Sequence, residues 1–298
     1  MGRSTRKHSK RHIDCHLGLE MTHEQTVEYA ASIMRHLSQD PFRVRKRKRD
    51  RYKQRFIVHS SSQRGTLELL TAVCPYMITK HAEAALAVDY LRRATHEAIY
   101  IPNDVDSRIL EYVRRLKKGD PQAQEDSDAL IGCVSAHPVF HTTREQQLAW
   151  LAGLFDGEGC ISMGCTRKSS PGFIDCKVSL EMAHAETVEY AASIMRLVSR
   201  DPIRVHLRKP RGNSKQHYTA SASSKGGTLD LLTAIIENMV TKRAEAGLAI
   251  DYLRRAVEEP HYKSSSLDRA IAECARRLKK SDPTAEADAL RILGSADS

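Results

Sequence analysis

Long apolar runs are missing from this 298-residue chain, and none approaches the ~18 residues that a membrane-spanning helix needs. No basic-then-apolar leader stands at its start, so an intracellular, non-secreted protein is expected. Aromatics are scarce, 5% with a single Trp, so any core must be built mainly from aliphatic side chains. Seven cysteines without one C-x-x-C pair speak against a disulfide framework or a zinc finger and favour a reducing compartment. Only three Asn accompany 30 Arg, whereas an AT-rich organellar gene would favour Lys and Asn; the composition points to a GC-rich coding context. Negative charge is also short: 37 Asp+Glu against 47 Lys+Arg leave +10 at pH 7. A surplus of that sign favours a polyanionic partner, nucleic acid before membrane surface. With 41% hydrophobic residues the chain is nonetheless not disordered throughout, though 28% charged residues imply modest cores, and its length allows two domains.

What the sequence does contain is itself, twice. The ten residues 26–35 (TVEYAASIMR) return unchanged as 187–196. IDC at 13–15 matches 174–176, GTL at 65–67 matches 227–229, YLRRA at 90–94 matches 252–256, and RRLKK at 114–118 matches 276–280. The offset is 161, then 162, with the shift inside a basic stretch. Two copies imply a duplicated domain rather than a solenoid. The expected division is a first repeat over 1–132, a linker over 133–141 and a second repeat over 142–298.

Each copy reads as α+β. Residues 174–182 (IDCKVSLEM) alternate strictly, predicting a half-buried strand, and 13–21 is expected to do the same. A helix follows near 186–199 and ends at Asp201-Pro202. Two short strands (203–208 and 217–223) and helices near 229–238, 242–256 and 267–280 complete the copy. The second copy is preceded by 142–159 (TTREQQLAWLAGLFDGEG), in which Thr142 and Glu145 have the spacing of a capping box. The first copy has no match to it, because Met1 aligns with Met163, inside a strand.

LAGLFDGEG at 151–159 resembles the signature of LAGLIDADG homing endonucleases, and the surrounding order resembles that family's αββαββα repeat. The resemblance covers nearly all of both copies. It implies two pseudo-symmetric repeats, each with a twisted antiparallel sheet, together forming a saddle on duplex DNA with a long, loosely palindromic site. Small Ala152 and Gly153 suit a close helix–helix approach, with Asp156 as a structural acid at the helix end. Glu158, beside Gly157, stands where the family holds its metal, Mg²⁺ or another divalent cation. Lys242 and its repeat partner Lys80 match the active-site lysine, and His184 and His23 fall where a polar residue often orders water. Either histidine suits a helix cap equally well. The basic residue often found four positions later is replaced by Val188 and Val27, a departure from the pattern.

The DNA-reading face would present Ser162, Thr166, Asp175, Lys177, Ser179, Glu181, Arg204, His206, Arg208, His217 and Thr219 in the second copy. In the first it would present Asp14, His16, Glu20, Arg43, Arg45, Arg47, Arg55 and His59. Residues 43–55 hold nine basic residues and one acid, Asp50, which favours phosphate contact; a basic loop or a localisation signal is the plainer reading. Its difference from 204–217 implies half-sites that differ in their outer parts. Cutting both strands is expected to need two acid-bearing helix ends, and this sequence has one. Three readings stay open: a start lying further upstream, pairing of two chains through the Ala152/Gly153 helix, or loss of cleavage with binding retained. The last includes a regulator or an intron maturase that binds RNA on the same sheet. The host element, intron or intein, is not written in the residues.

Overall fold

The computed structural model describes residues 2–3, 13–47, 54–96, 100–120, 122–131, 143–165, 173–208, 216–259, 262–280, 282 and 284–294. The chain divides into two compact units, Met1–Phe140 and His141–Ser298. The linker expected over 133–141 lies outside the described residues.

In unit 2 the first described element is helix α6 (Arg144–Glu158), which follows the five helices of unit 1 in the chain. The helix starts at a capping box one residue later than expected: Thr143 Oγ1 accepts from the Gln146 amide, and Gln146 returns the bond to the Thr143 amide. Thr142 is outside the described residues. Strands β6 (Gly159–Cys165) and β7 (Ile174–Met182), helix α7 (Ala185–Val198), strands β8 (Val205–Arg208) and β9 (His217–Ala222) follow. Helices α8 (Lys225–Ile235), α9 (Arg243–Glu258), α10 (Ser266–Lys279) and α11 (Ala285–Gly294) close the unit. The sheet is antiparallel in the order β6-β7-β9-β8. Along β7 the alternation holds: Ile174, Cys176, Val178 and Leu180 are buried, while Asp175 and Lys177 are exposed. The inward face packs on Leu151, Phe155, Val188, Met195, Leu231, Leu248 and Tyr252 in one continuous core.

Unit 1 repeats the plan with β1 (Gly2–Arg3), β2 (Ile13–Asp14), β3 (Gly18–Met21), α1 (Glu24–Leu37), β4 (Arg45–Arg47) and β5 (Arg55–His59). Helices α2 (Gln63–Val73), α3 (His81–His96), α4 (Asp104–Lys118) and α5 (Gln122–Ile131) follow. The pairing Gly2↔Asp14 reproduces Gly164↔Asp175, so the strand alignment read from the repeat is correct. The single strand expected over 13–21 is instead two pieces, β2 and β3. Between them the Leu17 carbonyl still accepts from the Ser60 amide, but the Leu17 amide donates to Ser60 Oγ, so a side chain takes one ladder bond there. Gly18, with no side chain to pack, favours the break. The unit 1 core forms two clusters, one around Leu86, Tyr90, Ile109 and Val113, the other around Val27, Phe42, Phe56 and Val58.

Charged side chains tie both units in the same way. Arg93 bridges Asp89 and fully buried Asp106, as Arg255 bridges Asp251 and fully buried Asp268. Arg115 clasps Asp120 and Asp126, and Arg277 clasps Asp282 and Asp288, holding α5 and α11. Those two short helices were absent from the sequence reading.

Candidate functional site

Helix α6 carries its signature residues to the start of the sheet. Leu151, Ala152, Phe155 and Asp156 face inward, whereas Gly153, Gly157 and Glu158 are exposed. Ala152 is therefore a core residue of unit 2, a correction to its expected place on a helix–helix surface. A Cβ added to Gly153 or Gly157 would meet nothing within 4 Å. Gly159 is different: a Cβ there would stand 2.2 Å from Phe155 Cδ1, so the turn from α6 into β6 admits only glycine.

The end of α6 is held by a reciprocal clasp. The Asp156 carboxylate accepts from the Val240 amide at 2.7 Å and the Lys242 amide at 2.9 Å. Lys242 Nζ donates to the Phe155 carbonyl at 2.8 Å and the Asp156 carbonyl at 2.7 Å. Asp156 is thus the structural acid expected. Lys242 spends its ammonium on carbonyls that the helix leaves unpaired at its C-terminus, where a cation is favoured. Burial pushes the Lys242 pKa down, against the opposing charges of Glu245, Asp156, Cys160 and Glu158. Its repeat partner Lys80 is exposed at the start of α3.

Glu158 is the last residue of α6, exposed and without a side-chain hydrogen bond among the described residues. A further acid lies within the electrostatic reach of Lys242 and Lys279: Glu245 on α9 is 8% exposed, with Oε2 unpaired among the described residues, and burial pushes its carboxyl up. Only its place in the first turn of α9 marked it out. Cys160, two residues before Ser162 on the outward face, was legible in the alternation; Lys279 Nζ donates to its sulfur at 3.7 Å.

His184 and His23 are helix caps. His184 Nδ1 accepts from the Thr187 amide at the start of α7, and His23 Nδ1 from the Thr26 amide at the start of α1. Val188 and Val27, which replace the basic residue of the family pattern, are fully buried beneath those helices.

The outward faces of the sheets gather most of the expected DNA-reading residues. In unit 2, Ser162 stands opposite Lys177, Glu181 opposite Thr219, His206 opposite Thr219, and Arg208 opposite His217. Asp175 and Ser179 share that face of β7. Arg204 is exposed just before β8, and Thr166 lies outside the described residues. In unit 1, Glu20, Arg45, Arg47, Arg55 and His59 lie on the three-stranded sheet, and the His16 ring meets His59 edge-on at 6.5 Å. Asp14 is in β2, and Arg43 is exposed before β4. Among the described residues no group of three His, Cys, Asp or Glu side chains could hold a metal ion.

A helix ending in an exposed acid at the edge of an antiparallel sheet, in a chain that carries the plan twice, defines a fold seen before. The structure is similar to the LAGLIDADG homing endonuclease I-GzeII in complex with its DNA target: 10% identity, 93% of this chain and 86% of that one, TM-score 0.52. It is similar to the meganuclease I-SmaMI bound to uncleaveable DNA, with 11% identity, 94% and 84% covered, TM-score 0.51. The LAGLIDADG meganuclease I-AabMI bound to uncleaved DNA matches at 11% identity, 94% and 88% covered, TM-score 0.50. No protein-family model and no curated protein matches the chain. The fold is that of the LAGLIDADG homing endonucleases.

Proposed function

We propose that this chain is a duplex-DNA-binding protein of LAGLIDADG endonuclease type, with one metal-assisted phosphodiester-hydrolysis site in unit 2. The observation that carries the reading is Glu158, exposed at the end of α6 and without a side-chain hydrogen bond among the described residues, beside an outward sheet face rich in polar and basic side chains. A lone carboxylate fits Mg²⁺, a hard cation that takes one or two protein carboxylates and completes its shell with water and substrate phosphate. Glu158 and the Gly157 carbonyl would hold it. When bound, such an ion neutralises charge on the scissile phosphate and activates water.

The chain's own residues have distinct tasks. Asp156 and Lys242 fix the helix end from which Glu158 projects, and Gly159 lets β6 leave that end without steric conflict. His23 and His184 start the helices behind each sheet. The outward side chains of both sheets would meet the major groove, whose base pairs present distinct donors and acceptors.

The test is a supercoiled plasmid carrying a target selected by the chain itself, incubated with Mg²⁺ or with EDTA. The expected result is Mg²⁺-dependent cutting that Glu158→Gln abolishes. Duplex binding without cutting by either protein would overturn the hydrolytic half of the proposal and leave a binder. Preference for structured intron RNA over duplex in direct competition would overturn the DNA half.

A further inference from the structure

An acid facing a polyanion needs a reason, and both sheets carry one at the same place. In unit 2, Glu181 Oε2 meets Arg208 Nη1 at 2.7 Å, and Oε1 lies 3.9 Å from His217 Nδ1. In unit 1, Glu20 Oε1 meets Arg55 Nη1 at 3.1 Å, and Oε2 lies 4.0 Å from Arg47 Nη1. Glu20 matches Glu181 and Arg47 matches Arg208 in the repeat, while Arg55 is replaced by His217. Around these pairs the outward face has changed: His16 is matched by Lys177, Arg45 by His206, His59 by Ser221.

Stability does not explain the retained pair. Arg208 and Glu181 side chains are 56% and 37% exposed, and an exposed ion pair is worth only about 0–1 kcal/mol. Phosphate binding does not explain it either, since a carboxylate beside the arginine weakens attraction to the backbone. Base recognition does. A guanidinium has five N–H donors, and Glu181 engages one nitrogen of Arg208, which leaves the other donors of this exposed side chain for a ligand. The neighbouring carboxylate is acceptor-only. Donor fork beside acceptor complements the major-groove edge of a G·C pair, where guanine offers O6 and N7 and cytosine offers N4–H. At an A·T pair, adenine N6–H would oppose the guanidinium and thymine O4 would oppose the carboxylate.

We propose that Glu181 with Arg208, and Glu20 with Arg55 bound to it and Arg47 beside it, each read a G·C base pair at equivalent positions of the two half-sites. The replaced neighbours then make the half-sites differ around that shared pair. The proposal rests on the reading that the sheets face duplex DNA, and the test separates the two. Duplexes are selected from a random library by the full chain, and every single-base variant of the winner is measured. Failure of the wild-type chain to select any duplex overturns the DNA reading itself, before a variant is made. With selection achieved, Arg208→Ala should lose discrimination at one G·C pair of one half-site, roughly five- to 150-fold. Arg55→Ala should do so at the matching pair of the other. Glu181→Gln should admit A·T at the position that Arg208→Ala relaxes. Equal weakening of every duplex by Arg208→Ala, with the salt slope reduced by about one, would make it a phosphate contact and overturn the proposal. So would a uniform gain in affinity from Glu181→Gln.

Discussion

Replacing Asp156 by alanine cuts the clasp at the end of α6. Its carboxylate accepts two backbone amides, Val240 and Lys242, at 2.7 and 2.9 Å, and the residue is 7% exposed. Hydrogen bonds to a charged acceptor contribute about 1.5–3 kcal/mol each, and amides left unsatisfied cost about 1–3 kcal/mol. Water reaching the vacated space restores part of that, so a loss of about 3 kcal/mol is expected. For a unit of this size ~1 kcal/mol moves Tm by about 2–4 °C, which gives a fall of about 6–12 °C for the unit 2 transition. Calorimetry on the full chain measures it, with the unit 1 transition as an unmoved reference. Lys242→Met, which keeps the aliphatic stem and removes only the donors to Phe155 and Asp156, should cost less, about 1–2 kcal/mol. The two losses should add to more than the double variant shows, since both act on one structure. A loss below about 1 kcal/mol for Asp156→Ala would refute the clasp as a stabilising device.

Three further outcomes are expected. Glu158→Gln should end Mg²⁺-dependent cutting while leaving duplex affinity within a factor of about two, measured by plasmid cleavage and fluorescence anisotropy. Duplex affinity should fall by roughly 10³–10⁵ between 50 and 200 mM salt if six to ten phosphates are contacted; a flat profile would remove the sheets from the groove. Asp201 titrates below the usual aspartate range: burial opposes ionisation, but the Ser224 hydroxyl and the Ser224 and Ser223 amides outweigh it. A lowered carboxylate stabilises the fold above its unfolded-state pKa, and that contribution is lost as pH falls through the folded-state pKa. Asp201→Asn should therefore cost about 1 kcal/mol at neutral pH, and the gap from wild type should close below about pH 4, by urea denaturation.

The two-copy plan and the strand faces were legible because each depends on a periodicity or an exact repeat, whereas Glu158 at the end of α6 was marked by the resemblance of 151–159 to a signature. Alternation along 174–182 placed Val178 and Leu180 inside, and the repeat carried that register to 13–21. What the sequence hid was long-range. Nothing local says that the Ser60 hydroxyl will take the Leu17 amide where the strand breaks. Lys242 resembles a group aimed at phosphate, yet its ammonium reaches back to carbonyls 86 and 87 residues earlier in the chain. The histidines were ambiguous for a related reason: the same position serves as helix cap and as site neighbour, and only the bond to Thr187 or Thr26 distinguishes them. Helices α5 and α11 are short and are tied to the preceding helix by the long-range bridges Arg115–Asp126 and Arg277–Asp288, which no local pattern announces.

The identical decapeptide of α1 and α7 lives in two surroundings. Tyr29 and Ile33 are 57% and 43% exposed, whereas Ile194, the match of Ile33, is 2% exposed, and Tyr190, the match of Tyr29, meets the Trp150 ring at 4.9 Å. Helix propensity, neighbouring residues within the decapeptide and rotamer preferences in a helix are therefore common to both sites. Substituting a pair such as Ile33 and Ile194 in turn subtracts the local contribution and leaves the worth of being covered. The chain carries its own internal standard: one peptide, anchored in both copies by its buried Val and second Ala, with the Tyr/Ile face covered in one copy and wet in the other, from which the free energy of covering that face can be read by difference.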